Sequence, residues 1–223
     1  MTGDDDTTEP TGPAHPVPGA LALELAPPPD PSAGPDVPAG IARVRAFVNT
    51  REIDGDGVVE GFAAPADLAA WLTAHGLLGG GEPLGDGDVR EAIEVREALR
   101  EVLGGNAGHA VDPTAISVLR DAAARTPVTV LFDPDAHASL VPVGGGLRAA
   151  LGRIFADIAT ATADGSWARL KSCRNDECRW AYYDASRNRS GRWCSMAGCG
   201  NRMKGRAYRQ RARSSAAPWG WTD

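Results

Sequence analysis

The chain reads as an α+β protein, with a mainly α-helical body that carries a short β-hairpin and a small C-terminal hairpin–helix module. Three observations predict this. Apolar residues recur at helical spacing through most of the stretch 39–163. Two short β-branched runs, Val128–Phe132 and Ser139–Val143, interrupt that pattern. All four cysteines fall in two pairs between 173 and 199. No run approaches the 18 or so consecutive apolar residues of a spanning helix, so a membrane protein is not expected. The N-terminus also lacks the basic and apolar regions of a secretory signal.

Residues 1–38 hold ten prolines, seven carboxylates and no Lys or Arg. They are read as a disordered tail, because such a segment buries too little apolar surface to offset its chain entropy. Within it, Leu21-Ala-Leu-Glu-Leu25 alternates like a short strand. Ile41, Val44, Phe47 and Val48 then recur at helical spacing up to Asn49-Thr50-Arg51. Asp54-Gly-Asp-Gly57 reads as a turn; it lacks the rest of a calcium loop and that loop's terminal Glu.

Pro65 opens a helix where its missing N–H is harmless. Leu68, Trp71 and Leu72 give that helix its apolar face, and Gly76 ends it. Asp86 or Asp88 is expected to cap the next helix. Its apolar face is Val89, Ala92, Ile93, Leu99, Val102 and Leu103, and Gly104-Gly105 is expected to stop it. Asp112-Pro113 starts another helix, with Ile116 and Leu119 on its apolar side. The two β-branched runs form a hairpin around the turn Asp133-Pro-Asp. After the Gly144–Gly146 joint, Leu147, Leu151, Ile154, Phe155 and Ile158 mark a long helix to about Ala163.

The charge distribution is uneven. Residues 171–213 hold 12 Lys+Arg and 3 Asp+Glu, whereas residues 1–170 hold 11 and 25. A compact basic end on an acidic body is the asymmetry of a nucleic-acid-binding appendage. The cysteines lie inside that basic end, spaced Cys173-x4-Cys178, fifteen residues, Cys194-x4-Cys199. Two thiolate pairs with no histidine nearby suit one closed, structural Zn2+. Trp180–Tyr183 is read as the outgoing strand of a hairpin between the pairs. Arg192-Trp193-Cys194 is its return, and Trp180 and Trp193 serve as core. About 45 residues bury too little to fold unaided, so the metal is expected to hold the module together.

Directly after Cys199, a helix from Asn201 would place Arg202, Arg206, Arg209 and Arg213 on one stripe, flanked by Lys204 and Arg211. Asn201 is a candidate cap. The hairpin tip adds Arg187, Arg189 and Arg192. These nine residues are the candidate nucleic-acid contacts. The bland alternative is a solvated basic face, but such faces normally carry interspersed carboxylates, and none occurs between Asp184 and Asp223.

Cys173-x4-Cys-Arg-Trp-Ala-Tyr-Tyr-Asp-x-Ser-Arg-Asn, with Arg192-Trp-Cys-Ser-Met-x-x-Cys-Gly-Asn-Arg202, resembles the CGNR zinc finger, named for the tetrapeptide at Cys199–Arg202. Phe47–Arg51, Asp67–Leu72, Arg96–Arg100 and Gly145–Leu147 resemble landmarks of the ABATE domain that precedes it in that family. The resemblance spans roughly 45–213. It implies a bacterial, stress-induced transcription regulator with zinc on Cys173, Cys178, Cys194 and Cys199, a DNA-binding finger and a ligand-binding helical domain.

The organisation expected is therefore a tail at 1–38, an ABATE-like sensor body at 39–165, a finger at 168–213 and a short tail at 214–223. The function expected is a zinc-dependent, DNA-binding regulator of the cytoplasm. The alternative is a zinc-stabilised adaptor for proteins or RNA with no DNA readout. Motifs for dinucleotide, phosphate, serine-hydrolase or zinc-protease chemistry are missing, so an enzyme is not expected. Asn49, Arg51 and Arg96 are the polar groups to follow around any small-ligand pocket, with caps and ion pairs as the commoner role for such residues. A homodimer would match a palindromic site, but no dimer face is legible in the sequence.

Overall fold

The computed structural model describes residues 37–54, 57–79 and 83–215. The Leu21–Leu25 run, Trp219 and Trp221 lie outside them. Six α-helices and three two-stranded antiparallel sheets make up the described residues.

Helix α1 (Ala39–Val48) turns Ile41, Val44, Phe47 and Val48 fully inward. Strands β1 (Arg51–Asp54) and β2 (Gly57–Glu60) then form a hairpin where the sequence promised only a turn. Its Val58 and Val59 are exposed, so no burial alternation advertised it. Helix α2 (Pro65–Ala74) begins at proline as expected, and Asp67 accepts from the Ala64 N–H at 2.9 Å. Phe47, Phe62 and Trp71 pack at centroid distances of 5.7–5.8 Å, joining α1, α2 and the β2–α2 link.

Helix α3 (Asp86–Asn106) is the central element, with Val89, Ala92, Val95, Leu99 and Leu103 buried. Two expectations change here. The N-cap is Gly85, and Asp88 serves from inside the first turn by accepting from the Gly85 N–H at 2.7 Å. Gly104 and Gly105 do not stop the helix, which runs on to Asn106. Gly105 is small because a neighbour presses on it: a Cβ there would stand 2.5 Å from Val111 Cγ2. The chain turns away at Gly108, whose φ is +89°.

Helix α4 (Pro113–Ala124) is capped by Asp112, which accepts from the Thr114 N–H at 2.8 Å. It buries Ala115 and Ala122; Leu119 is partly buried and Ile116 is exposed, so its inner face is smaller than the sequence suggested. Strands β3 (Val128–Phe132) and β4 (Ala138–Pro142) pair in the expected hairpin. Helix α5 (Gly146–Ala163) then sets Leu147, Leu151 and Ile154 into the core against α1. A buried ion pair between Arg43 and Asp157 ties α1 to α5.

The last sheet pairs β5 (Leu170–Ser172) with β6 (Ala181–Tyr183), and the first cysteine pair lies in the loop between them. The sequence suggested instead that 181–183 would pair with 192–194. The upstream partner wins because Leu170 and Ala181 are both core residues, fully buried with α3 and α1 beneath them. Helix α6 (Asn201–Ser215) follows a wide π-type turn, Met196–Gly200.

Candidate metal centre and nucleic-acid interface

The tight β5–β6 loop places Cys173 and Cys178. The Cys173 N–H donates to Trp180 O at 2.9 Å, and the N–H groups of Cys178 and Arg179 both donate to Asn175 O, at 2.8 and 3.0 Å. Arg179 closes the loop with a φ of +50°. The second pair comes from the π-type turn. Ser195 caps it by accepting from the Gly198 N–H at 3.2 Å, and Gly200 N–H donates to Ser195 O at 2.9 Å. Asn201, the cap expected from the sequence, instead donates to Ala197 O at 3.3 Å. A Cβ on Gly200 would stand 2.9 Å from Met196 Sδ and 3.3 Å from Trp193 Cδ1, so those side chains would have to shift to admit one.

The four sulfurs lie within 4.8 Å of one another. Cys178–Cys194 and Cys194–Cys199 are each separated by 3.8 Å, and all four are free thiols. A tetrahedron with metal–sulfur bonds of about 2.3 Å has edges of about 3.8 Å, so the donors fit one zinc ion. The chemistry of the set agrees. Hydrogen bonds from Cys178 and Cys194 hold the Cys173 thiol down, while the same contacts push the Cys178 and Cys194 thiols up. Only a cation lets four crowded sulfurs be thiolates together. With no open position, the ion is structural. Asn175, fully buried, reaches Cys199 Sγ with its amide nitrogen at 3.6 Å and steadies that ligand.

A second organising group was not singled out in the sequence. Lys171 and Asp184 are both buried and pair at 2.7 Å. Asp184 also accepts from Ser186 Oγ at 2.6 Å and from the Gly191 N–H at 2.8 Å. Lys171 Nζ spends its remaining protons on Arg189 O and Gly191 O. Burial pushes the Asp184 carboxyl up, but Lys171, Ser186 and Gly191 outweigh it and hold the group at about 2. The pair thereby folds the loop 184–191 and presents Arg187, Arg189 and Arg192 outward, all exposed.

The body clamps the first half of this module. Asn49 donates to Ala181 O at 2.9 Å and accepts from the Ala181 N–H at 2.8 Å. Arg100, almost fully buried, bridges Val48 O at 2.6 Å and Arg179 O at 3.1 Å. Asn106 donates to Trp167 O and Leu170 O, and Arg174 reaches back to Ala107 O. Of the three residues followed as ligand contacts, Asn49 is thus engaged by β6. Arg96 is fully buried in a two-pronged bond to Glu60 (2.7 Å for one arm), with Glu97 at 2.9 Å. Arg51 approaches Glu97 at 3.9 Å and is partly exposed. Asn49 and Arg96 play the structural role. Bonds from Arg96 hold Glu60 below the usual carboxylate range, against the opposite pull of burial.

Helix α6 is partly buried in its first half. Met203, Gly205 and Ala207 are half-buried, and every residue from Tyr208 to Arg213 is exposed. Arg202, Lys204, Arg206, Arg209, Arg211 and Arg213 are all exposed. One carboxylate intrudes from outside the segment: Glu177, in the first cysteine loop, pairs with Arg206 at 2.7 Å. That contact spans 29 residues and could not be read from local charge spacing.

Comparison with family models gives two matches. Residues 42–165 match ABATE, described as "Putative stress-induced transcription regulator", and residues 169–212 match the CGNR zinc finger. A comparison with curated proteins finds no match.

Proposed function

The chain belongs to the ABATE family and carries a CGNR zinc finger, and from that premise we propose that it is a non-enzymatic transcription regulator whose finger binds DNA. The observation that supports this most is helix α6, which carries six cations, no carboxylate of its own and no burial from Tyr208 to Arg213. Like charges this close destabilise an isolated helix. Phosphates would relieve that repulsion, and counterion release would add to affinity. Zinc fixes the helix at its root through Cys199, while the Lys171–Asp184 pair sets the arginines of the 184–191 loop beside the same module. Arginine is also the side chain best suited to reading guanine edges in a major groove. The reading places the protein in the cytoplasm; no helix among the described residues is long and apolar enough to cross a membrane.

The test is DNA affinity across a salt series, for zinc-loaded wild type and for Arg209→Ala/Arg213→Ala. The reading expects a steep loss of affinity with salt, and a slope shallower by about two phosphate contacts in the variant. Equal affinity and equal slope would remove α6 as the contact. Tight binding to structured RNA or to an acidic protein, with none to DNA, would replace the regulator by an adaptor.

A further inference from the structure

Most of the charge on helix α6 has no carboxylate partner among the described residues. Its six cations are all exposed, and Glu177 beside Arg206 is the one carboxylate paired with them there. Residues 1–38 carry the opposite excess, seven carboxylates with no Lys or Arg. Four of the seven fall within six positions, as Asp4, Asp5, Asp6 and Glu9. The chain enters the fold close to the finger. Asn49, directly after α1, donates to Ala181 O of β6 at 2.9 Å, and α1 itself is about 15 Å long. The 28 residues that follow Glu9, to Val37, can span up to about 90 Å. That reach is several times the length of α6, about 22 Å.

We propose that the acidic run Asp4–Glu9 seats on the exposed face of α6 in its own chain and competes there with other polyanions. Opposite charge supplies the match, and the stretch that follows α6 offers only Asp223 in its place. A tethered run is present at an effective concentration on the order of 1 mM, so a weak contact is enough to fill the helix face. The groups that meet are exposed, so salt loosens them as the screening length falls from about 10 Å at 0.1 M to about 3 Å at 1 M. Any other polyanion must displace the run first. A run seated about four-fifths of the time lowers the apparent affinity of such a ligand about fivefold. The contact needs no DNA; its effect on DNA binding rests on the reading of α6 given above.

Lys204 makes the contact readable, because the chain has two lysines and the other, Lys171, is buried against Asp184. A carbodiimide condenses a carboxylate with a lysine amine where the two touch. The zinc-loaded full chain at low salt is expected to give an intrachain amide between Lys204 and the segment 4–9, mapped by peptide mass and lost at about 0.5 M salt. Asp4→Asn/Asp5→Asn/Asp6→Asn/Glu9→Gln should bind heparin about fivefold more tightly than wild type, a difference that closes with salt. Glu24→Gln/Asp30→Asn/Asp36→Asn removes three charges outside the run and should change heparin affinity less than about twofold. Amides from Lys204 only to carboxylates outside 4–9, or only between two chains, would overturn the proposal. So would an equal gain in heparin affinity from both sets of changes, or none from the first. Heparin binding with the amide formed, but no DNA binding, would remove the DNA reading and support this contact.

Discussion

The two halves of the cysteine module are held by different forces. Its first half, β5 to β6, is an extension of the body. Leu170 and Ala181 belong to the main core, and Asn49, Arg100 and Asn106 hydrogen-bond its backbone. Its second half, from Asp184 to α6, has little apolar burial of its own, with Cys199 and Gly200 the only buried residues between Asp184 and Arg213. It is held by the metal ligands, by the Lys171–Asp184 pair and by hydrogen bonds from Arg169 and Arg174. A chain segment too small to build a core must borrow one or bind a metal, and this module does one on each side. The basic helix sits entirely on the metal-dependent side.

That contrast can be broken most severely at the zinc. Cys194→Ser should abolish stoichiometric zinc and melt α6, a loss on the order of 10 kcal/mol to the second half, while the α1–α5 body keeps its cooperative transition. Metal analysis with circular dichroism would show helix loss confined to about one helix in six. Lys171→Met comes next. It strands Asp184 as a buried unpaired carboxylate and should cost about 3–5 kcal/mol, read by denaturant titration of zinc-loaded protein.

Acid should act on the same pair. Asp184 is held at about 2 when folded, against 3.8 ordinarily, so it adds stability above pH 4 that is lost as the pH falls toward 2. The loss is about 2 kcal/mol, and Asp184→Asn should flatten that part of the pH–stability profile.

A smaller effect is expected from the body side. Asn49→Ala leaves the Ala181 N–H and C=O without their partners and should cost about 1–3 kcal/mol with zinc bound. Unlike the zinc variant, it should lower the melting temperature of the body itself. Arg206→Ala should change stability by no more than about 1 kcal/mol, because its pair with Glu177 is exposed.

What the sequence made legible follows the same division between local and distant causes. Helices with a local start signal stood out: Pro65, Asp112-Pro113 and the period of α5 all matched. The four ligands were legible because thiol chemistry and spacing are local. Features set by contacts from elsewhere were misread. Gly104-Gly105 looked like a stop because Val111, which requires Gly105 to be small, is brought there by the fold. Strand 181–183 was paired with the wrong neighbour because its partner is chosen by core burial at Leu170 and Ala181. Lys171 and Asp184 stand 13 residues apart, and nothing short of the β5–β6 pairing shows that they meet.

Hydrogen exchange resolved by segment, with and without a zinc chelator, tests the divided module most directly. Chelation should strip protection from the π-type turn and α6 while β5, β6 and α3 stay protected. Uniform loss across 170–215, or α6 still protected after the metal is gone, would contradict it.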